Sequence, residues 1–298
     1  MARSGNATIF HDPRFLKYHG KKFKQQERYF CWEDNAGEII AAFPYCIFTE
    51  EGHRVARSPY GASYGGLAYI SGLSFSSLEQ ITNQLMEEFR VRKVTRVILT
   101  LVPSIYQKKP DDTFAFLLLK NKGKIIFSEL TAVVQLRDVA ISAMAAKAIR
   151  KGIQAGVVVE KNNDLETFYR ILLDNRAKFK TKPTHTKQEL AWLIKKMPGC
   201  FHIFTASQGK KAIASALVFS CNSQAALVFY WAHLEAFSHL RPVNVLVNAL
   251  IAWAKESGLN YLDYGTQTFR MQYTQGHIAF KESMGSSPVF RTTYELDL

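Results

Sequence analysis

A chain of 298 residues, 47% hydrophobic and 13% aromatic, is neither disordered nor fibrous, and at about 100 to 200 residues per domain it is expected to hold two. The 38 Lys and Arg against 25 Asp and Glu, a formal charge of +13, favour a polyanionic partner such as RNA, a nucleotide-linked substrate or an acidic membrane surface, with plain solubility as the bland alternative. Cys31, Cys46, Cys200 and Cys221 form no C-x-x-C pair and the 8 histidines no H-E-x-x-H spacing, so reduced thiols and no metal site are expected.

From the N-terminus, MARSGNATIFHDPRF lacks the apolar core and cleavage site of a signal peptide. The most apolar later run, VNVLVNALIAWA, is broken by Asn244 and Asn248. A cytoplasmic protein without a transmembrane segment is expected, with peripheral membrane contact left open. YFCWEDNAGEIIAAFPYCIF, Tyr29 to Phe48, reads as strand, turn at Asn35 to Gly37, strand. SPYGASYGG, Ser58 to Gly66, has the small residues of a loop that lets backbone approach a ligand, and equally those of a tight turn. Leu78, Ile81, Leu85 and Phe89 then mark a helix that leads into the strand VTRVILTLV. FLLLKNKGKIIFSELTAVVQL, Phe116 to Leu136, reads as a turn of helix, a glycine loop and an alternating strand.

Next, AISAMAAKAIRKGIQAG predicts a helix with Lys147, Arg150 and Lys151 on a basic side and Gly156 as its C-terminal stop. The expected domains are 1–138 and 139–298. Beyond lie a helix capped by Asp164 and the basic run KFKTKPTHTK, which is either a solvated loop or a stretch of RNA contact. Thr186 and Glu189 form a capping box on a helix stopped by Pro198-Gly199. A hairpin around Gly209 follows, then the helix PVNVLVNALIAWAKESG, the strand LNYLDYG, and IAFKESMGSSPVFRTTYELDL as helix turn, loop and strand.

The second half therefore repeats the first, with Gly37 answered by Gly209, helix and strand answered by helix and strand, and Lys120 answered by Lys281. A pair of helices, antiparallel strands, a strand-helix-strand unit and a closing strand make an α/β sandwich with a mixed, mostly antiparallel sheet. That order, with SPYGASYGG, IRKGIQAGV, WAKESGLNYLDYGTQ and AFKESMG in sequence, resembles two tandem GNAT acyltransferase domains. It is most similar to the Fem-like aminoacyltransferases that build peptidoglycan cross-bridges and to related bacterial acyltransferases of cell-surface polysaccharides. The chain departs from them in lacking a long helical-hairpin insertion and the Q/R-x-x-G-x-G/A loop that holds coenzyme A pyrophosphate. HLRPVNVLVN stands in that place.

The resemblance implies an acyltransferase whose central strands, here ALVFYWAH and NYLDYGTQ, splay around the reacting carbonyl. It implies that Lys281, in the Phe-Lys position, supplies positive charge to a developing oxyanion, and that Tyr60, Gly61, Tyr64, Gly65 and Gly66 face the acceptor. Lys120 inherits no role. From the residues themselves, Asp263 at a strand end can hold an acceptor amine or accept its proton, or simply form a turn beside Gly265. Tyr230, Tyr264 and Thr266 can line the same cleft as hydrogen-bonding groups or serve as core. Arg241 and Pro242 open a helix at Val243 and Asn244 whose start suits a donor phosphate. Donor and acceptor stay open: acyl-CoA or aminoacyl-tRNA as co-substrate, none tightly bound, and an amine on a small-molecule, cell-envelope or nucleotide-linked precursor. The rival class is a non-catalytic protein that holds RNA or a sugar precursor.

Overall fold

The computed structural model describes residues 3–298. Its first half runs β1 (Glu27–Glu33), β2 (Ile39–Glu50), β3 (His53–Ser58), α1 (Phe75–Val91), β4 (Arg96–Thr100), α2 (Thr113–Lys120) and β5 (Lys124–Gln135). The second runs α3 (Ala143–Gln154), β6 (Val157–Lys161), α4 (Leu165–Ala177), α5 (Lys187–Lys196), β7 (Phe201–Gln208), β8 (Lys211–Ser220), β9 (Ala225–His233), α6 (Pro242–Glu256), β10 (Tyr261–Thr266), α7 (Gln275–Ser283) and β11 (Ser287–Asp297). Among the described residues no helix is long and apolar enough to cross a membrane.

Local chemistry explains the boundaries. Ser74 caps α1 through Ser77 N, Asp164 caps α4 through Thr167 N, and the Thr186 and Glu189 capping box opens α5. Helix α1 buries Leu78, Ile81, Leu85 and Phe89, the stripe its spacing predicts. Both hairpin turns contain a left-handed glycine, Gly37 at φ 75° and Gly209 at φ 55°, a conformation that costs glycine nothing.

The repeat is visible in the pairing. β1 is antiparallel to β2, β2 to β3, and β3 runs parallel to β4. Likewise β7 is antiparallel to β8, β8 to β9, and β9 runs parallel to β10. Each set is then extended by a strand from the other half of the chain. β4 takes β11, with Thr293 opposite Thr100 and Asp297 opposite Arg96. β10 takes the end of β5, with Leu262 opposite Val134.

Two compact units result, one holding the described residues up to Leu130 together with Val289–Leu298, the other Thr131–Pro288. The division thus falls inside β5, earlier than residue 138, and the last strand belongs with the first unit. The first core gathers Phe43, Tyr45, Phe89, Leu99 and Leu117 with Tyr294 and Leu296 from β11. The second gathers Val134, Val218, Leu246, Leu250 and Leu262. Both units are α/β with mixed, mostly antiparallel sheets, the tandem arrangement expected from the repeat.

Candidate active site

In the second unit, β9 and β10 pair in parallel from Ala225 opposite Tyr261 to Leu227 opposite Asp263, and there the ladder ends. β9 runs on to His233 and β10 to Thr266. A bulge between Val228 and Tyr230, where β9 faces β8, bends β9 at the same level. The expected splay of the two central strands is therefore present in ALVFYWAH and NYLDYGT.

Lys281, on α7, lies at this opening and is only 7% exposed. Its Nζ donates to the carbonyls of Gly265 (2.8 Å) and Thr266 (3.0 Å) and sits 5.9 Å from the centre of the Trp231 ring. Burial lowers its pKa to about 8, with the charge of Asp263 acting the other way. Asp263 is fully buried. Its Oδ1 accepts from Thr131 Oγ1 (2.5 Å) and Gly265 N (2.7 Å). The carboxylate thus folds the strand end around itself, and that end offers its carbonyls to Lys281. Tyr264 is buried, its hydroxyl donates to Met284 O (3.1 Å), and burial pushes its pKa upward. Its ring packs on Trp231 at 5.4 Å.

Two cavities adjoin this centre. One of about 520 Å³ is bounded by Trp231, His233, His277 and Phe280, by Arg176, and by Arg241 to Asn244 at the start of α6. The other, of about 710 Å³, is lined by Lys147, Arg150 and Lys151 of α3, by Arg241 and Asn244, and by Ala279 and Phe280. Arg241, Asn244 and Phe280 border both. Four cationic residues line the larger one, together with the apolar Met144, Ala145, Ala148, Ala279 and Phe280. Arg241 caps α6 in the left-handed region, at φ 57° and ψ 40°, an uncommon state for a side chain with a Cβ.

The structure brings Lys281, Asp263, Tyr264 and Thr266 together, and sets Arg241, Pro242, Val243 and Asn244 along the cavities. Tyr230 points elsewhere: its hydroxyl accepts from His185 N (3.2 Å) and lies 3.0 Å from His185 Nδ1. In the first unit, Tyr60 and Tyr64 are buried, Tyr60 donating to Tyr29 Oη (3.1 Å) and Tyr64 packing on Phe10 and Tyr106. The glycines there answer to packing. A Cβ on Gly61 would fall 1.8 Å from His19 Nε2, and one on Gly65 would fall 2.6 Å from Pro59 N. Gly66 N donates to Ser58 Oγ (2.8 Å). Of this loop only Gly61 is exposed, with Pro59, Ala62 and Ser63 half-buried. Lys120 is exposed and pairs with Glu79.

Trp231, His277 and Arg176 were not singled out in the sequence, nor was the joint placement of Lys147, Arg150 and Lys151 beside Arg241. Among the described residues no cluster of three or more His, Cys, Asp or Glu could hold a metal ion.

Residues 142–281 match the model of the acetyltransferase (GNAT) domain. No curated protein matches the chain in sequence. Among solved structures it is similar to FemX, at 12% identity and a TM-score of 0.74, over 99% of this chain and 93% of that one. It is also similar to the C-terminal domain of a putative lysylphosphatidylglycerol synthetase from Agrobacterium fabrum, at 10% identity and a TM-score of 0.63 over 95% and 91%. A third is a tandem GNAT protein from the clavulanic acid biosynthesis pathway, at 13% identity and a TM-score of 0.54 over 91% and 83%. A GNAT acetyltransferase domain thus occupies residues 142–281, inside a fold that nearly the whole chain shares with FemX.

Proposed function

We propose that the chain moves an acyl group from an acyl-CoA-type thioester to an amine on a cell-envelope or nucleotide-linked precursor, in the cytoplasm. The observation that carries this reading is the buried Lys281 ammonium at the point where β9 and β10 part. The amine nitrogen attacks the thioester carbonyl, whose electrons move to oxygen. Collapse re-forms the carbonyl, breaks the C–S bond and expels the thiolate, which takes up the proton lost by the amine. Negative charge grows on the oxygen in the transition state, so a fixed cation in a water-poor site stabilises it more than the ground state. Asp263 supports the protonated lysine against burial, and Tyr264 ties the end of α7 to β10.

The donor phosphates fit the larger cavity, whose lining combines Lys147, Arg150, Lys151 and Arg241 with apolar side chains. Those four cations also favour a second reading, aminoacyl-tRNA as donor. Salt separates the two, because a long polyanion releases many more counterions than a coenzyme. The proposal expects thermal stabilisation by acetyl-CoA and no tRNA binding at physiological salt. Steeply salt-dependent tRNA binding without any response to acyl-CoA would replace the first donor by the second. The basic run Lys178 to Lys187 is then the place to look for further RNA contact.

A further inference from the structure

Between β10 and α7 the chain makes a small hairpin, Thr268–Phe269 paired with Gln272–Tyr273. Its two turn residues, Arg270 and Met271, both adopt positive φ, 50° and 63°, where Asn and Gly are the ordinary occupants. The hairpin holds the rings of Phe269, 74% exposed, and Tyr273, 65% exposed, outside either core. Under it lies a cavity of about 300 Å³ bordered by both rings and by Thr266, Gln267, Thr274 and His277.

Gln267 has an unmet need. It is 8% exposed, and its Oε1 is buried with no hydrogen-bond partner among the described residues. A buried acceptor left unpaired is costly, so it calls for a donor that arrives with a ligand. Gln267 is itself among the residues that border the cavity. The neighbouring Thr266 carbonyl is one of the two that accept from Lys281 Nζ, so a ligand held here lies beside the reacting centre.

The lining contains no Asp, Glu, Lys or Arg. That disfavours a phosphate or a peptide carboxylate as occupant. Hydroxyls, amides and open aromatic rings suit a small ring with polar edges and apolar C–H faces, and the volume is at the lower end for small-molecule sites. We propose that this cavity is the acceptor subsite and takes an amino-sugar ring, with Gln267 accepting from its amine or an adjacent hydroxyl and Phe269 and Tyr273 covering its faces. The inference rests on the amine-acylating reading above and names the acceptor class for it.

Saturation-transfer NMR on the full chain without any donor tests the binding step apart from the chemistry. The probes are free glucosamine and a uridine-diphosphate-linked amino sugar, which separate the ring from its carrier. Contact with ring protons in the native chain, lost in Gln267→Leu and in Phe269→Ala while near-UV circular dichroism is unchanged, is the expected result. In acetyl transfer, Gln267→Leu should raise the acceptor KM at least about 10-fold and leave the acetyl-CoA KM unaltered. No ring contact with either probe, or equal contact in both variants, overturns the assignment. Ring contact in the native chain that the variants abolish, with no acetyl transfer to the bound sugar, would keep the subsite and overturn the N-acyltransfer reading instead.

Discussion

Lys281 combines burial, two backbone acceptors and a nearby aromatic face, and that combination makes its behaviour measurable. Lys281→Ala should reduce kcat by about 100- to 1000-fold with little change in substrate affinity, the loss typical of an oxyanion-hole donor. Lys281→Arg should restore little, because a planar guanidinium cannot take an ammonium's place between the Gly265 and Thr266 carbonyls. Lys120→Ala, the counterpart in the repeat, removes an exposed ion pair with Glu79 and should leave turnover within about twofold. Equal turnover in all three variants would make Lys281 a structural pin. A pH profile gives a second test. The folded lysine has a pKa of about 8 against an ordinary 10.5, so its charge is lost as pH rises through about 8. Turnover that needs the ammonium should fall along that limb, and the limb should be absent in Lys281→Arg. Stability runs oppositely: the buried charge disfavours the folded state below about pH 8, and this penalty is relieved as pH rises from about 8 toward 10.5.

At the scale of elements, the contact between α3 and α6 shapes the larger cavity. Gly152 of α3 makes it possible, since a Cβ there would fall 2.5 Å from Val245 Cγ2 and 2.8 Å from the Leu240 carbonyl. Gly152→Ala would gain up to about 1 kcal/mol of helix propensity, yet it forces backbone apart in a packed contact, which typically costs about 1–3 kcal/mol. A net fall in the urea midpoint is expected, together with weaker acyl-CoA binding. A rise in the midpoint would show that α3 moves freely.

The same scale explains what could be read from sequence. Capped helices, the hairpins at Gly37 and Gly209, and the helix-strand repeats were legible because period and punctuation are local. Strand β10 and its Asp263 and Tyr264 were legible for the same reason. Trp231 was not. Strict alternation along β9 from Ala226 and Val228, which face the second core, puts Tyr230 on that face. The bulge after Val228 adds one residue to the strand, so Trp231 packs against that core instead. Tyr230 is left to His185 and Phe168 on the other side. One residue of slip reverses every later side chain, and nothing in AALVFYWAH marks it. Gln267 was missed because its significance lies in a hydrogen bond that is not made, which only coordinates reveal.

For the molecule as a whole, the exchanged strands matter most. β11 supplies Tyr294 and Leu296 to the first core and pairs five residues with β4. Deleting Val289–Leu298 should therefore damage the first unit, although the residues removed lie at the far end of the sequence. Hydrogen exchange distinguishes the outcomes: amides of Arg96–Thr100 should lose protection, while those of Lys211–Ser220 in the second unit should keep most of theirs. Protection lost first from β8 would contradict the assignment of the strand.

The exchange also sets a clock on biosynthesis. Thr100 and Thr293, whose hydroxyls meet across the new pair, are 193 positions apart. At about 5–20 residues per second, β4 waits on the order of 10–40 s after its own synthesis before its neighbour leaves the ribosome. During that interval the strand has an open edge with Val97 and Leu99 on its core face, a template for pairing with another nascent chain. The N-terminal half cannot complete its sheet by folding first, as successive domains usually do. It is finished last, by residues made after the whole second unit, so a helper that shields an exposed strand edge during translation should raise the yield of this protein more than one that acts after release.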